Sequence, residues 1–208
     1  LPRPELSAED VVLPEGRLEA IEEHVVGIGE AADLLREAGQ HLRRGLLLYG
    51  PPGTGKTHTT RYLMSRMRES TVVIITGPAM AKIDQAVALA RAMQPSMVIV
   101  EDVDLIAESR DHFETSPLLF SLLDAMDGTS GDADVTFVLT TNRPEVLEKA
   151  LIQRPGRVDL AVEIPLPDAR ARERLIRLYA RNRPIEADLA AVVAATEGVT
   201  ASYIRELL

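Results

Sequence analysis

The sequence predicts an α/β fold: a doubly wound, five-stranded parallel sheet followed by a small, truncated helical lid. Three observations carry this. Short β-rich runs alternate with helical stretches between residues 46 and 164. Those runs are apolar throughout rather than alternating, as expected of strands covered by helices on both faces. Beyond Pro165 and Pro167 the pattern becomes purely helical.

Each element has its own signal. Residues 1–14 are Pro-rich and mixed, and read as an extended lead-in. Leu18, Ile21, Val25 and Val26 then recur at near-helical spacing, and Ala31–Ala38 reads as a helix stopped by Gly39. The strand at Leu46–Tyr49 precedes a helix over 55–69, and the strand at Val72–Thr76 precedes one near 83–93. Met97–Glu101 is followed by helical segments reaching Asp127, and Val135–Thr140 by a helix near 144–153. Leu160–Ile164 is the last strand. Helices over 168–181, 186–196 and 200–208 complete the chain. The expected organisation is a lead-in (1–14), an α/β nucleotide-binding subdomain (15–166) and a partial helical lid (167–208).

Composition narrows the function. The 208 residues are 46% hydrophobic and 26% charged, the balance of a globular protein. Without cysteine, thiolate catalysis, disulfides and zinc–thiolate sites are excluded, and a reducing, cytoplasmic location is expected. The net charge of -9 argues against general binding to nucleic-acid backbones. With only 3% aromatic residues, base-stacking platforms are not expected either. No apolar run approaches the roughly 20 residues of a membrane helix, so membrane contact would come only through regions outside this chain. Because the chain starts at Leu1 rather than Met, it is expected to be an excised piece.

Gly50-Pro51-Pro52-Gly53-Thr54-Gly55-Lys56-Thr57 fits the phosphate-binding pattern G-x-x-x-x-G-K-[ST]. Glycines let the backbone turn tightly enough for its N–H groups to face phosphate oxygens. The helix starting near Gly55 presents its positive end to the anion. Lys56 can reach the β- and γ-phosphates, and the Thr57 hydroxyl can ligate Mg²⁺. His58, next on the helix, is counted with the nucleotide-binding residues. By composition alone such a pattern occurs in roughly one chain in a hundred of this length. Here a predicted strand precedes it and a helix follows, as the mechanism requires.

A second signal lies at the end of the strand Met97–Val100, which runs into Glu101-Asp102-Val103-Asp104. Two adjacent acids there suit a metal-supporting carboxylate and one that orients or deprotonates water. The other histidines (His24, His41, His112) show no metal-ligand spacing.

With these two motifs the sequence resembles the AAA branch of the AAA+ P-loop ATPases, over about residues 20–208. Thr140-Thr141-Asn142-Arg143-Pro144 resembles the family's first sensor, with Asn142 reading the γ-phosphate. Ala150-Leu151-Ile152-Gln153-Arg154-Pro155-Gly156-Arg157-Val158-Asp159 resembles its arginine-finger segment. The resemblance implies that Arg154 and Arg157 reach a neighbouring subunit's nucleotide. Leu122–Gly128 and Thr196–Ser202 also match, the latter in the family's lid. His24-Val25-Val26-Gly27 sits where the adenine-contacting segment is expected, which implies base contacts from Val26 and Gly27.

The resemblance implies binding of ATP and Mg²⁺, with Glu101 and Thr57 on the metal side and Asp102 as the base. It implies ATP hydrolysis in a homo-oligomeric ring, a hexamer, that remodels or translocates a protein client. Two departures qualify this. The usual acidic order is Asp then Glu, and the Glu-Asp order here is similar to the mitochondrial Rieske-protein translocase branch. Asp102 as base loses about 1.5 Å of reach, one C–C bond, and displacements of that size can cost about 10²-fold in rate. The other departure is Gly77–Ile83, where many relatives carry an aromatic pore loop and this chain has no aromatic residue. The alternative function is a nucleotide-dependent assembly switch with little turnover. A P-loop small-molecule kinase is a third candidate, disfavoured by the Arg154–Arg157 segment.

Overall fold

A computed structural model describes residues 3–104, 117–127, 133–145, 147, 156–181, 183–184 and 187–208. Five strands form one sheet: β1 (Arg44–Tyr49), β2 (Thr71–Ile75), β3 (Ser96–Val100), β4 (Val135–Thr141) and β5 (Leu160–Glu163). Their order is β2-β3-β4-β1-β5 and every pair is parallel. Nine α-helices are described: α1 (Arg17–Glu22), α2 (Ile28–Glu30), α3 (Ala32–Glu37), α4 (Lys56–Arg66), α5 (Ile83–Ala92), α6 (Pro117–Asp127), α7 (Ala169–Ala180), α8 (Leu189–Ala195) and α9 (Ala201–Glu206). A π-helical turn, Glu23–Gly27, joins α1 to α2. The helix expected near 144–153 lies mostly outside the described residues.

Successive strand residues face opposite sides of the sheet, so each central strand feeds two cores. Leu47, Val98, Val100, Phe137 and Leu139 pack with Val87 and Ala90 of α5 and Leu122, Leu123 and Met126 of α6. Leu46, Leu48, Met97, Ile99 and Val138 pack on the other side, with Tyr62 and Leu63 of α4 and Ile21 and Val25. The two-sided cover read from the apolar strands holds for β1, β3 and β4, which are buried almost throughout. It holds only in part for β2, whose Val72 and Val73 pack against opposite cores, and for β5. These are the sheet edges, where Ile74 is 40% exposed and only Val162 of β5 is buried.

The lead-in is not a loose linker. Val11 and Leu13 are buried in the α4-side core, and Val12 packs against the cluster formed by Leu175, Ile176, Ala201 and Ile204 of the C-terminal helices. Residues 11–13 thus stitch the sheet to the lid, which alternating burial along an extended segment makes possible.

At the opposite end of β1 lies a buried ion pair. The Arg44 side chain is 1% exposed and donates to Asp134 Oδ1 at 2.9 Å and to the Leu42 carbonyl at 2.7 Å. Its Nε donates to the Val25 carbonyl at 3.3 Å. Arg44 opens β1 and Asp134 immediately precedes β4, so the pair aligns two neighbouring strands. Removing one partner of such a pair strands a buried charge. Asp134→Ala should therefore lower the unfolding free energy by about 3 kcal/mol in urea denaturation. Glu173→Ala, which removes an exposed i,i+4 pair with Arg177, should cost no more than about 0.5 kcal/mol.

Candidate active site

The parallel sheet brings the ends of β1, β3, β4 and β5 to one edge, and the site is assembled there. The loop leaving β1 turns on glycines in the left-handed region, with φ of 141° at Gly50, 75° at Gly53 and 116° at Gly55. At Gly50 glycine is required twice over, because a Cβ would also collide with the Ile164 carbonyl oxygen. The Gly50 N–H donates to the Thr141 carbonyl at 3.3 Å, and Thr54 Oγ1 braces the loop by donating to the Pro51 carbonyl at 2.8 Å. Pro51 and Pro52 are exposed.

Gly55 precedes α4, and Lys56 is its first residue. Lys56 is buried, and its Nζ donates to the carbonyls of Gly50 and Pro51, each at 2.8 Å. The ammonium thus sits across the loop it belongs to. Burial lowers its pKa from the usual lysine value, and the nearby charges of Asp102 and Asp104 act the other way. Thr57 is exposed, leaving its hydroxyl accessible.

The acids after β3 divide into different tasks. Asp104 is buried, and its Oδ1 accepts from Thr141 Oγ1 at 2.8 Å and from the Asn142 N–H at 3.1 Å. It therefore brackets the end of β4. Asp102 has a φ of 52°, unusual for a residue other than glycine. Its N–H donates to Thr140 Oγ1 at 3.1 Å, and its Oδ1 accepts from Asn142 Nδ2 at 3.3 Å. Asp102 and Asn142, distant in sequence, are in contact. Glu101 is half-buried, and its N–H continues the ladder to the Ile75 carbonyl at 3.1 Å.

Val26 and Gly27 lie in the π-helical turn, where Val26 is buried in the α4-side core and borders a hollow lined by Arg44, Met67 and Ser70. That hollow is at the Arg44 end of β1, away from the phosphate loop. The cavity beside the loop is another one, about 80 Å³, bounded by Val12, Pro14, Thr54, Ile164, Leu175 and Ala201. His58 Nε2 lies 2.8 Å from the Asp10 carbonyl and fastens the lead-in to α4.

Of the two candidate arginine fingers, Arg154 lies outside the described residues. Arg157 pairs with Asp127 at the end of α6, and Arg43 donates to the Met126 and Gly156 carbonyls at 3.0 and 3.1 Å. The backbone there is held against β1. Asp159 Oδ2 accepts from the Gly45 N–H at 2.8 Å, and a Cβ at Gly45 would collide with the Arg157 carbonyl. Sequence reasoning missed this clamp, and also the role of Asp104. Met80, in the segment where an aromatic loop was sought, is 2% exposed and belongs to the core.

Among the described residues, no group of three or more His, Asp or Glu side chains gathers into a metal cage. This donor set fits Mg²⁺, which commonly takes one or two protein oxygens and completes its shell with water and substrate phosphates. Thr57 and Glu101 are the residues that would hold it.

A glycine-turned loop between strand and helix, with a lysine at its centre and acids on the adjacent strand ends, defines a P-loop nucleotide-binding domain. Residues 46–166 match the ATPase family associated with various cellular activities (AAA), and the chain belongs to that family as an ATPase domain. It is 34% identical over 203 residues to "ATP-dependent zinc metalloprotease FtsH 2" of Symbiobacterium thermophilum, covering 89% of this chain and 34% of the relative. It is 29% identical over 222 residues to "Proteasome-activating nucleotidase" of Methanocaldococcus jannaschii, covering 99% of this chain and 51% of the relative. The chain thus spans about a third to a half of these relatives.

The bracket at Asp104 yields a specific expectation. Asp104→Ala leaves the Thr141 hydroxyl and the Asn142 N–H without their acceptor, which should cost about 1–3 kcal/mol of stability. Because Asn142 loses its anchor, kcat for ATP should fall about tenfold or more, with nucleotide affinity changed less than about threefold. Denaturant titration and steady-state phosphate release measure the two effects.

Proposed function

We propose that this domain binds ATP at the loop Gly50–Thr57 and hydrolyses it with Asp102 as the residue that orients and deprotonates water. The observation that carries this reading is the contact between Asp102 and Asn142 beside the phosphate loop. Lys56 exchanges its two loop carbonyls for phosphate oxygens when nucleotide enters. The base is placed toward the cavity between Val12 and Ala201, beside Thr54 of the loop, rather than at Val26 and Gly27. Mg²⁺, when bound, offsets charge on the β- and γ-phosphates. Asn142 holds the γ-phosphate end of the substrate while Asp102 accepts the proton from water.

Ring assembly belongs to the same proposal. Arg154 and Arg157 supply positive charge to a neighbouring protomer's site in a homo-oligomeric ring, a hexamer. Such a contribution can be worth about 10³–10⁵ in rate. The names of the relatives, a protease and a proteasome activator, support a protein client. The Gly77–Lys82 turn would engage it without an aromatic grip, since Met80 is buried.

Asp102→Asn should lower phosphate release at saturating ATP by about 10²-fold or more while ATP still binds. Equal rates for the variant and the wild type would favour the assembly-switch alternative instead. Turnover per protomer should also fall on dilution below the assembly concentration. A rate that stays flat would exclude arginines acting between subunits.

A further inference from the structure

Among the described residues, the lid's hydrogen bonds to the phosphate loop converge on one carbonyl. Gly53 O accepts two hydrogen bonds from Ser202, from the backbone N–H at 3.0 Å and from the hydroxyl at 3.2 Å. Ser202 is the second residue of α9, whose N-cap is Thr200; the Thr200 hydroxyl accepts from the Tyr203 N–H at 3.2 Å. A helix leaves its first N–H groups without partners inside the helix. In α9 one of them finds its partner on the loop, 149 residues earlier in the chain. Gly53 makes the approach possible: a Cβ there would stand 3.2 Å from both the Thr200 and the Ser202 hydroxyl oxygens.

The consequence follows from peptide geometry. The only cis bond among the described residues is Gln94–Pro95, so the Gly53–Thr54 peptide is trans. In a trans peptide the C=O and the following N–H point in opposite directions. Holding the Gly53 carbonyl against α9 therefore turns the Thr54 N–H to the other side of the loop. An unrestrained peptide next to two glycines could rotate and present its carbonyl to a phosphate instead, replacing an attraction by a repulsion.

We propose that Ser202 is a positioning residue: it fixes the Gly53–Thr54 peptide so that the Thr54 N–H faces the phosphate chain of the nucleotide. The inference rests on the nucleotide-binding reading above and adds a dependence to it. Grip on the polyphosphate requires the lid to be docked, and by reciprocity bound polyphosphate favours the docked lid. This dependence concerns phosphates and not the base, although Ala201, next to Ser202, lines the cavity assigned to the base.

That distinction supplies the test. Affinities of the full chain for ATP and ADP are measured by calorimetry, and for adenosine by ligand-observed NMR. Ser202→Ala removes the hydroxyl and keeps the backbone bond. Ser202→Pro removes both donors at a first-turn position, where proline is tolerated. ATP and ADP affinities should fall about threefold in Ser202→Ala and about tenfold or more in Ser202→Pro. Adenosine affinity should stay within about twofold in both, and Ser202→Thr should match the wild type.

Adenosine affinity falling in step with ATP would overturn the proposal, because the contact would then serve only to press the lid on the base. Unchanged ATP affinity in a folded Ser202→Pro would overturn it as well. Should Ser202→Pro fail to fold by circular dichroism, Ser202→Ala against Ser202→Thr decides by the same criteria. Failure of the underlying reading looks different: the wild type would bind no ATP, or Lys56→Ala would bind it as tightly as the wild type.

Discussion

The position of β1 between β4 and β5, in parallel register with both, organises the rest of the molecule. Tyr49 stands opposite Thr141 on one side and Glu163 on the other, while Val100 of β3 stands opposite Leu139. Chains leaving these four strands therefore emerge at a common edge, which is where open α/β sheets place their ligands. The close fit around β1 shows in its glycines. Gly45 near its start and Gly50 just past its end both lie where the β5 segment leaves no space for a Cβ. The phosphate loop and the arginine-bearing segment are thus held by the same strand, one at each end.

Charge at the site is distributed with little redundancy. Lys56 is buried beside Asp102 and Asp104, whose charges oppose the lowering of its pKa by burial. Asp104 spends its carboxylate on the end of β4, which leaves Asp102 as the acid that faces Asn142. Asp102 holds a left-handed backbone conformation that costs on the order of 1–3 kcal/mol for a residue other than glycine. The hydrogen bond from its N–H to Thr140 helps keep it there. Local strain supported by a neighbouring strand is a common arrangement in catalytic sites.

The lid is thinly built. Its buried cluster consists of Leu175, Ile176, Ala201 and Ile204, and it borrows Val12 from the lead-in. A unit with so few buried apolar side chains belongs to the less stable part of a structure. Its contacts with the lead-in and with Gly53 contribute to its placement in proportion. That couples lid position to the loop more directly than packing between two large cores would.

Much of this was legible in the chain. The strand periods, the phosphate loop and the paired acids after β3 are local patterns, because backbone turns and strand burial are dictated by neighbours in sequence. Asn142 and Arg157 were legible only through resemblance, since a lone polar residue carries no spacing signal. Tertiary structure decided the rest. It set Val26 in the α4-side core and Val12 beside the phosphate loop, committed Asp104 to β4 and His58 to Asp10, tied Arg157 to Asp127, and set Ser202 on Gly53. Each of the side-chain and backbone contacts among them joins residues at least 30 positions apart. Local sequence determined which groups this protein can bring to ATP. Only the folding of strand ends onto one edge determined which of them meet, because contact between distant residues depends on register and packing that no local pattern encodes.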